Sequence, residues 1–162
     1  GVDFISRLDR KSDDLRQINA STQSELVEHT SYLRDVDKPV VIPADTRIRF
    51  VITSDDVIHS WWVPALGWKQ DAIPGTVNDA WTKVAIPGTY RGVCAELCGK
   101  DHGFMPIVVK VLPKAEYQVW LAAQKQAPVI EAAPVAAPAE ATVAPEAVTE
   151  APTATPEVAP AT

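Results

Sequence analysis

Two cysteines, two histidines and one methionine are the residues of this sequence best suited to bind a metal ion. Cys94, Cys98, His102 and Met105 fall within twelve residues, and His59 lies upstream. A single electron-transfer copper needs two histidines, one cysteine and a weak axial methionine, which this set supplies without Cys94. Two thiolates can instead bridge two copper ions, with one histidine at each end. The second cysteine therefore favours a binuclear copper site.

The same residues leave two other interpretations open. Two thiols and two imidazoles form a frequent structural zinc set, although zinc would give Met105 no role. In an oxidising compartment Cys94 and Cys98 could instead form a disulfide, with His59 and His102 as ordinary polar residues. A mononuclear copper- or zinc-binding module, which carries copper or is stabilised by zinc and has no redox role, is a further interpretation.

Composition limits the class of partner. The formal net charge is −6, and the last 36 residues, with five glutamates and no lysine or arginine, carry −5 of it. Nucleic acid is not an expected partner, because phosphate binding needs a basic patch.

The sequence contains no candidate membrane helix, since no window reaches the roughly 18 apolar residues that such a helix needs. Because the chain begins with Gly1, we interpret it as a fragment or processed product that lacks its membrane anchor helices.

Short strands separated by proline- and glycine-rich turns predict an all-β domain over residues 37–125. The predicted strands lie at residues 46–53, 80–86 and 107–112. A short C-terminal helix follows, since Tyr117, Trp120 and Leu121 have the spacing of one apolar helix face. Such an arrangement is typical of a β-sandwich or small barrel.

The two ends of the chain differ from this domain in composition. Residues 1–36 are polar and irregular, which predicts an extended segment packed on the domain, with a short helix or turn near residues 13–18. Residues 126–162 are rich in alanine and proline, with seven prolines in the last 36 residues. A segment with so little bulky apolar surface is expected to be a disordered tail.

Separated motifs in this chain resemble those of cytochrome c oxidase subunit II, in the proteobacterial form. They occur in the same order as in that family, and they are DVIHSWWVP at residues 56–64, KQDAIPG at 69–75, YRGVCAELCG at 90–99 and HGFMPIVV at 102–109. The resemblance implies an all-β fold, a cupredoxin-like Greek-key barrel or sandwich, with a binuclear copper centre (CuA).

The resemblance also implies a role for each ligand residue. Cys94 and Cys98 would bridge the two coppers, while His59 and His102 would each bind one of them. Met105 would be a weak ligand of one copper, and the backbone carbonyl of Glu96 would be a ligand of the other. In the family the carboxylate at the position of Glu96 also reaches a magnesium ion (Mg) shared with subunit I.

In function, the resemblance implies an electron relay at the periplasmic face of the bacterial inner membrane. Electrons would pass from cytochrome c to the haem and copper centres of subunit I, where O2 is reduced to water. The chain would be part of an oxidoreductase complex without holding the oxygen-reducing site. Asp55 and Asp56 match positions that face cytochrome c, and Asp71 matches a position near subunit I.

Two further features of the resemblance concern aromatic residues. Trp61 and Trp62 are expected to cover the copper and exclude water, although core packing of one of them is equally expected. The family's aromatic-rich strand, which carries the tryptophan where electrons enter, has no counterpart here, and residues 1–6 resemble the segment after it.

The copper domain of nitrous oxide reductase is the alternative family, because it shares the pattern of two cysteines, histidine and methionine. The HSW and DAIPG segments, however, resemble those of the oxidase.

Overall fold

The computed structural model describes residues 2, 4–17 and 30–126 of the chain. Within these residues there are two α-helices and seven β-strands, in this order: α1 (Arg10–Gln17), β1 (Val40–Pro43), β2 (Arg47–Ile52), β3 (His59–Val63), β4 (Trp68–Ala72), β5 (Asn78–Lys83), β6 (Gly88–Cys94), β7 (Pro106–Leu112) and α2 (Lys114–Gln126). The all-β prediction and the C-terminal helix are confirmed. The predicted tail, apart from its first residue, lies outside the described residues.

The strands form two sheets. The larger has the order β1-β7-β6-β3-β4, and β2 pairs with β5 in the smaller one. β1 runs parallel to β7, whereas the other pairs are antiparallel. This topology places β3 beside β6 in antiparallel orientation, so that the first residues of β3 lie near the last residues of β6. All three strands predicted from the sequence are present, as β2, β5 and β7.

The core lies between the strands and is built from aliphatic and aromatic residues. Val63, Val109 and Val111 are fully buried and belong to one cluster of buried apolar side chains. Trp61 and Trp68 stack with ring centroids 5.0 Å apart, and Phe50 lies 5.1 Å from Trp61. The aromatic rings therefore join β2, β3 and β4 at one end of the core.

Gly92 in β6 allows an unusually close approach between β6 and β3. A Cβ atom added at this position would collide with the carbonyl oxygen of Trp62 and would lie 2.7 Å from a methyl group of Val63. Real Cβ atoms do not approach other heavy atoms so closely. Glycine is therefore required here for the two strands to pair.

The C-terminal helix packs by the face that the sequence predicts. Tyr117, Trp120 and Leu121 are half-buried, while their neighbours along the helix are exposed. The rings of Tyr117 and Trp120 lie 5.7 Å apart. The face contacts β1 and β7, which closes one side of the larger sheet.

A helix, α1, lies in the N-terminal segment. It begins at Arg10, earlier than the predicted turn near residue 13, because the carboxylate of Asp9 accepts hydrogen bonds from the backbone N–H groups of Lys11 and Ser12. Such a cap satisfies N–H groups that have no partner within the helix. An ion pair between Asp13 and Arg16, with a nitrogen–oxygen distance of 2.6 Å, supports the same helix.

Candidate metal centre

The strand topology brings the predicted ligands together. His59 is the first residue of β3 and Cys94 is the last of β6, and the two strands pair with Trp61 opposite Cys94. Cys98 lies in the loop after β6. His102 opens a short 3-10 turn (His102–Phe104), and Met105 precedes β7.

The donor atoms of these five residues meet in one small region. The Cys94 and Cys98 sulfurs lie 3.9 Å apart, and both cysteines are free. The Nδ1 atom of His59 lies 3.9 Å from Cys94 Sγ, and the Nδ1 atom of His102 lies 3.5 Å from Cys98 Sγ. The Met105 sulfur lies 3.3 Å from Cys98 Sγ. Each sulfur therefore has an imidazole nitrogen within 3.9 Å of it.

Glu96 contributes to the site through its backbone. Its carbonyl oxygen lies 3.4 Å from Cys94 Sγ and accepts a hydrogen bond from that thiol. Its side chain is exposed. The carbonyl is therefore near the sulfur that faces His59, whereas the Met105 thioether is near the sulfur that faces His102.

The two thiols have different acidities. Burial raises the pKa of Cys94, but backbone hydrogen bonds at Glu96 and Ser60, together with the imidazoles of His59 and His102, outweigh it and lower the pKa to about 7. Burial and the neighbouring Cys94 sulfur raise the pKa of Cys98. The thiolate is the form that binds metals, so the lowered pKa of Cys94 favours metal binding at this sulfur.

Asp56 orients the His59 ring. One oxygen of the Asp56 carboxylate lies 2.8 Å from His59 Nε2, which leaves Nδ1 facing Cys94. This hydrogen bond raises the pKa of His59 and lowers that of Asp56. A carboxylate that holds the outer nitrogen of a histidine fixes the tautomer needed to bind a metal through the inner nitrogen.

Ser60 is a site residue that sequence reasoning did not identify. It is buried, its hydroxyl donates to the Asp71 carboxylate at 2.7 Å, and its carbonyl accepts the N–H of Ala95 at 2.9 Å. The second bond fixes the start of the cysteine loop against β3. The sequence signal that could have identified Ser60 is its position, as a small polar residue between a histidine and two tryptophans.

The remaining predicted residues lie around the centre. Trp61 packs in the aromatic cluster, whereas Trp62 is 38 % exposed on the other face of β3. Asp55 is exposed in the loop before β3. Asp71 is held by Ser60 in β4. None of these side chains is hydrogen-bonded to either cysteine sulfur among the contacts of the described residues.

The donor set fits copper. Donors that share one tetrahedral metal lie roughly 3.4–3.8 Å apart, because metal–nitrogen and metal–sulfur bonds are about 2.0–2.3 Å long. The donor atoms of His59, Cys94 and Cys98 all lie within 4.8 Å of one another, so little movement would bring them to one ion. Thiolate, thioether and imidazole together are the donors of copper electron-transfer sites.

Comparisons with known proteins agree with this arrangement. Residues 14–112 match the sequence model of a family described as cytochrome c oxidase subunit II, periplasmic domain. The chain is 52 % identical over 94 residues to a probable cytochrome c oxidase subunit 2 of Rickettsia bellii, covering 58 % of this chain and 35 % of that protein. A relative from Rickettsia prowazekii is 53 % identical over 90 residues, which is 56 % of this chain and 29 % of the relative. The chain therefore spans about a third of the length of these curated relatives.

Solved structures show the same fold. The crystal structure of the periplasmic domain of subunit II of cytochrome oxidase (CoxB) of Bradyrhizobium japonicum matches with a TM-score of 0.63 and 36 % identity, over 76 % of this chain and 78 % of that one. A subunit II solved as a mixed disulfide intermediate with thioredoxin-like TlpAs matches with a TM-score of 0.51 and 46 % identity, over 56 % of this chain and 63 % of that one.

These matches confirm the cupredoxin-like fold that the resemblance implied. Among residues 2, 4–17 and 30–126, no helix is both long enough and apolar enough to cross a membrane. The family model covers more than half of the chain and includes every candidate ligand. The chain belongs to the family of cytochrome c oxidase subunit II periplasmic domains.

Proposed function

We propose that this domain relays electrons through a binuclear copper centre, from cytochrome c to subunit I of a haem-copper oxidase. One observation carries the proposal. The two imidazoles face different sulfurs of one close pair, His59 towards Cys94 and His102 towards Cys98. Two ions bridged by a sulfur pair need one imidazole each, and this arrangement supplies one ring beside each sulfur.

Each ligand residue then has a distinct role. Cys94 and Cys98 would hold the two ions between them, and His59 and His102 would each bind one ion. Met105 would be a weak ligand near Cys98, and the Glu96 carbonyl would be a ligand near Cys94. When bound, the copper pair would supply a one-electron carrier that needs little rearrangement on reduction, because the charge would be spread over two ions. The chain's own residues hold the donors fixed and limit access of water.

The partners follow from the family and from the surface around the centre. Asp55 and Asp56 lie in the exposed loop before His59, where their charges would speed association with a basic cytochrome c. Asp71 and the exposed carboxylate of Glu96 would face subunit I, and Glu96 would there bind the shared magnesium ion. Oxygen reduction would take place in subunit I, at the periplasmic face of the bacterial inner membrane.

A second role concerns the metal-free chain. The relative that was solved as a mixed disulfide with a thioredoxin-like protein supports an exchange between such a protein and the two thiols here. A thiolate of the dithiol partner would attack Cys98, the more exposed sulfur of a Cys94–Cys98 disulfide. The mixed disulfide would form as the Cys94 thiolate leaves, and the partner's second thiol would then release Cys98. The partner's dithiol supplies both electrons and both protons.

The test of the proposed function is metal content combined with electron paramagnetic resonance (EPR). Chain reduced and then reconstituted with copper is expected to hold two ions and to show a seven-line hyperfine pattern, as one unpaired electron shared equally by two copper nuclei produces. A four-line pattern with one ion per chain would contradict the binuclear site. Stable binding of zinc in place of copper would contradict the electron-transfer function.

Asp56 provides a sharper prediction, because its neighbour Asp55 is a matched control. Asp56→Ala removes the carboxylate that holds His59, so copper is expected to pass to a chelator roughly tenfold faster. Asp55→Ala should leave this rate unchanged, while both variants should slow the reaction with cytochrome c at low salt. Equal copper release from the two variants would show that Asp56 acts only in docking.

A further inference from the structure

The N-terminal helix α1 reaches the metal-binding loop through one side chain, Arg16. The Cζ atom of Arg16 lies 4.4 Å from the centroid of the Phe104 ring, and its Nη1 atom lies 3.7 Å from the Asp101 carboxylate. Asp101 directly precedes His102, and Phe104 lies between His102 and Met105. Arg16 thus contacts the residues on both sides of one imidazole ligand.

The helix itself is fixed to the barrel by other contacts. Leu8 forms an isolated antiparallel bridge with Val36, and the N–H of Asp9 donates to the carbonyl of Asp35 at 3.0 Å. The Asp35 carboxylate accepts hydrogen bonds from both Nε and Nη2 of Arg91, at 3.1 and 2.6 Å. Arg91 belongs to β6, the strand that ends at Cys94. The helix is therefore anchored to the strand that carries the first cysteine.

A second carboxylate, on α1 itself, orients the guanidinium of Arg16 towards the loop. Asp13, one turn earlier, accepts a hydrogen bond from Arg16 Nε at 2.6 Å and another from Gln17 Nε2 at 2.9 Å. This carboxylate fixes the direction of the side chain. The planar face of the guanidinium is then free to lie on an aromatic ring, which is a favourable contact for arginine.

The loop borders a cavity on the side of the N-terminal segment, so contacts from α1 can support it there. A cavity of about 640 Å³ lies here, lined by Leu8 and Arg16 from the N-terminal segment and by Trp61, Met105 and Ile107 from the barrel. Gly103 and Met105 are exposed. Within the loop, the N–H groups of His102 and Phe104 donate to the carbonyls of Gly99 and Asp101. At its end, the Met105 carbonyl accepts a bond from the Cys94 N–H at 3.4 Å, which ties the loop to β6.

We propose that Arg16 is a positioning residue of the copper site, which holds the loop carrying His102 and Met105 by contacting Asp101 and Phe104. The inference rests on the proposed function, since it concerns the same ligands. It assigns α1 a role in the relay that no ligand motif indicates. A partly exposed ion pair and cation–π contact contribute little to global stability, so the effect is expected in the copper site and not in the melting temperature.

The test compares three variants of the full chain reconstituted with copper. Arg16→Gln removes the charge and is expected to release copper to a chelator roughly tenfold faster than the parent chain, with a changed hyperfine splitting and reduction potential. Arg16→Lys keeps the charge without the planar face, so partial recovery is expected. Arg10→Gln is the matched control, because Arg10 is an exposed arginine of the same helix paired only loosely with Asp14.

Phe104→Leu tests the same contact from the loop side and covers the case in which Arg16→Gln does not fold. It should speed copper release, and adding Arg16→Gln to it should then have little further effect. The inference would be overturned if Arg16→Gln released copper at the same rate as Arg10→Gln and gave the same spectrum. It would also be overturned if the effects of Arg16→Gln and Phe104→Leu on the release rate were additive in the double variant. A parent chain that binds fewer than two coppers would refute the proposed function instead, and the variants would still report on loop positioning.

Discussion

Replacing either cysteine by serine is expected to abolish the seven-line EPR pattern while leaving the barrel folded. Both sulfurs are needed to bridge two ions, and a serine oxygen does not replace a thiolate as a soft ligand for copper. Cys94→Ser removes the buried sulfur, which is only 7 % exposed, and Cys98→Ser removes the sulfur nearest to His102 and Met105. Each variant is expected to hold at most one copper ion.

The control for this experiment is Leu97→Ser. Leu97 is 80 % exposed in the same loop and its side chain offers no donor atom, so the variant should keep both copper ions and the parent spectrum. Copper content by atomic absorption and EPR of the oxidised protein provide the measurement, and far-ultraviolet circular dichroism checks the fold. Two coppers and an unchanged spectrum in Cys98→Ser would exclude the bridging arrangement.

The second large effect is expected for Gly92→Ala. A Cβ atom here would collide with the Trp62 carbonyl oxygen, so β6 and β3 would have to separate. Overpacking of this kind lowers the free energy of unfolding by about 1–3 kcal/mol. The thermal midpoint of a domain slightly larger than 100 residues should then fall by roughly 4 °C for each kcal/mol.

The same substitution should also disturb the metal centre, because β3 carries His59 and β6 carries Cys94. Gly103→Ala is the stability control, since a Cβ atom at Gly103 would meet nothing within 4 Å. Differential scanning calorimetry of both metal-free variants gives the comparison. If Gly92→Ala melts at the same temperature as Gly103→Ala, the close approach of the two strands is not a constraint on the fold.

The sequence predicted three of the seven strands, and the four that it missed were missed for different reasons. β2 and β7 are rich in β-branched residues, and β5 is bounded by turn residues. β1 and β3 are short but rich in β-branched or aromatic residues, so their local signal was present and was not used. β4 has no β-branched residue, and the two glycines of β6 weaken the signal of its threonine, tyrosine and valine. Their pairing depends on neighbouring strands, which single-sequence patterns do not encode.

The candidate site was predictable to different extents. Cys94, Cys98, His102 and Met105 are close in sequence, so their chemistry could be inferred without a fold. The proximity of His59 depends on the register between β3 and β6. The contact of Arg16 with Phe104 joins an N-terminal helix to a loop more than 80 residues away, and one arginine among many exposed charged residues gives no sequence signal for it.

The separation of His59 from the other ligands has a consequence for how the centre is assembled in time. His59 and Cys94 are 35 residues apart and meet only when β3 has paired with β6. An unfolded chain offers copper only the local run from Cys94 to Met105, with a single imidazole. Long-range strand pairing is slow compared with local contacts. Complete loading with metal therefore follows folding, and a correctly filled centre marks a chain whose sheet has already formed.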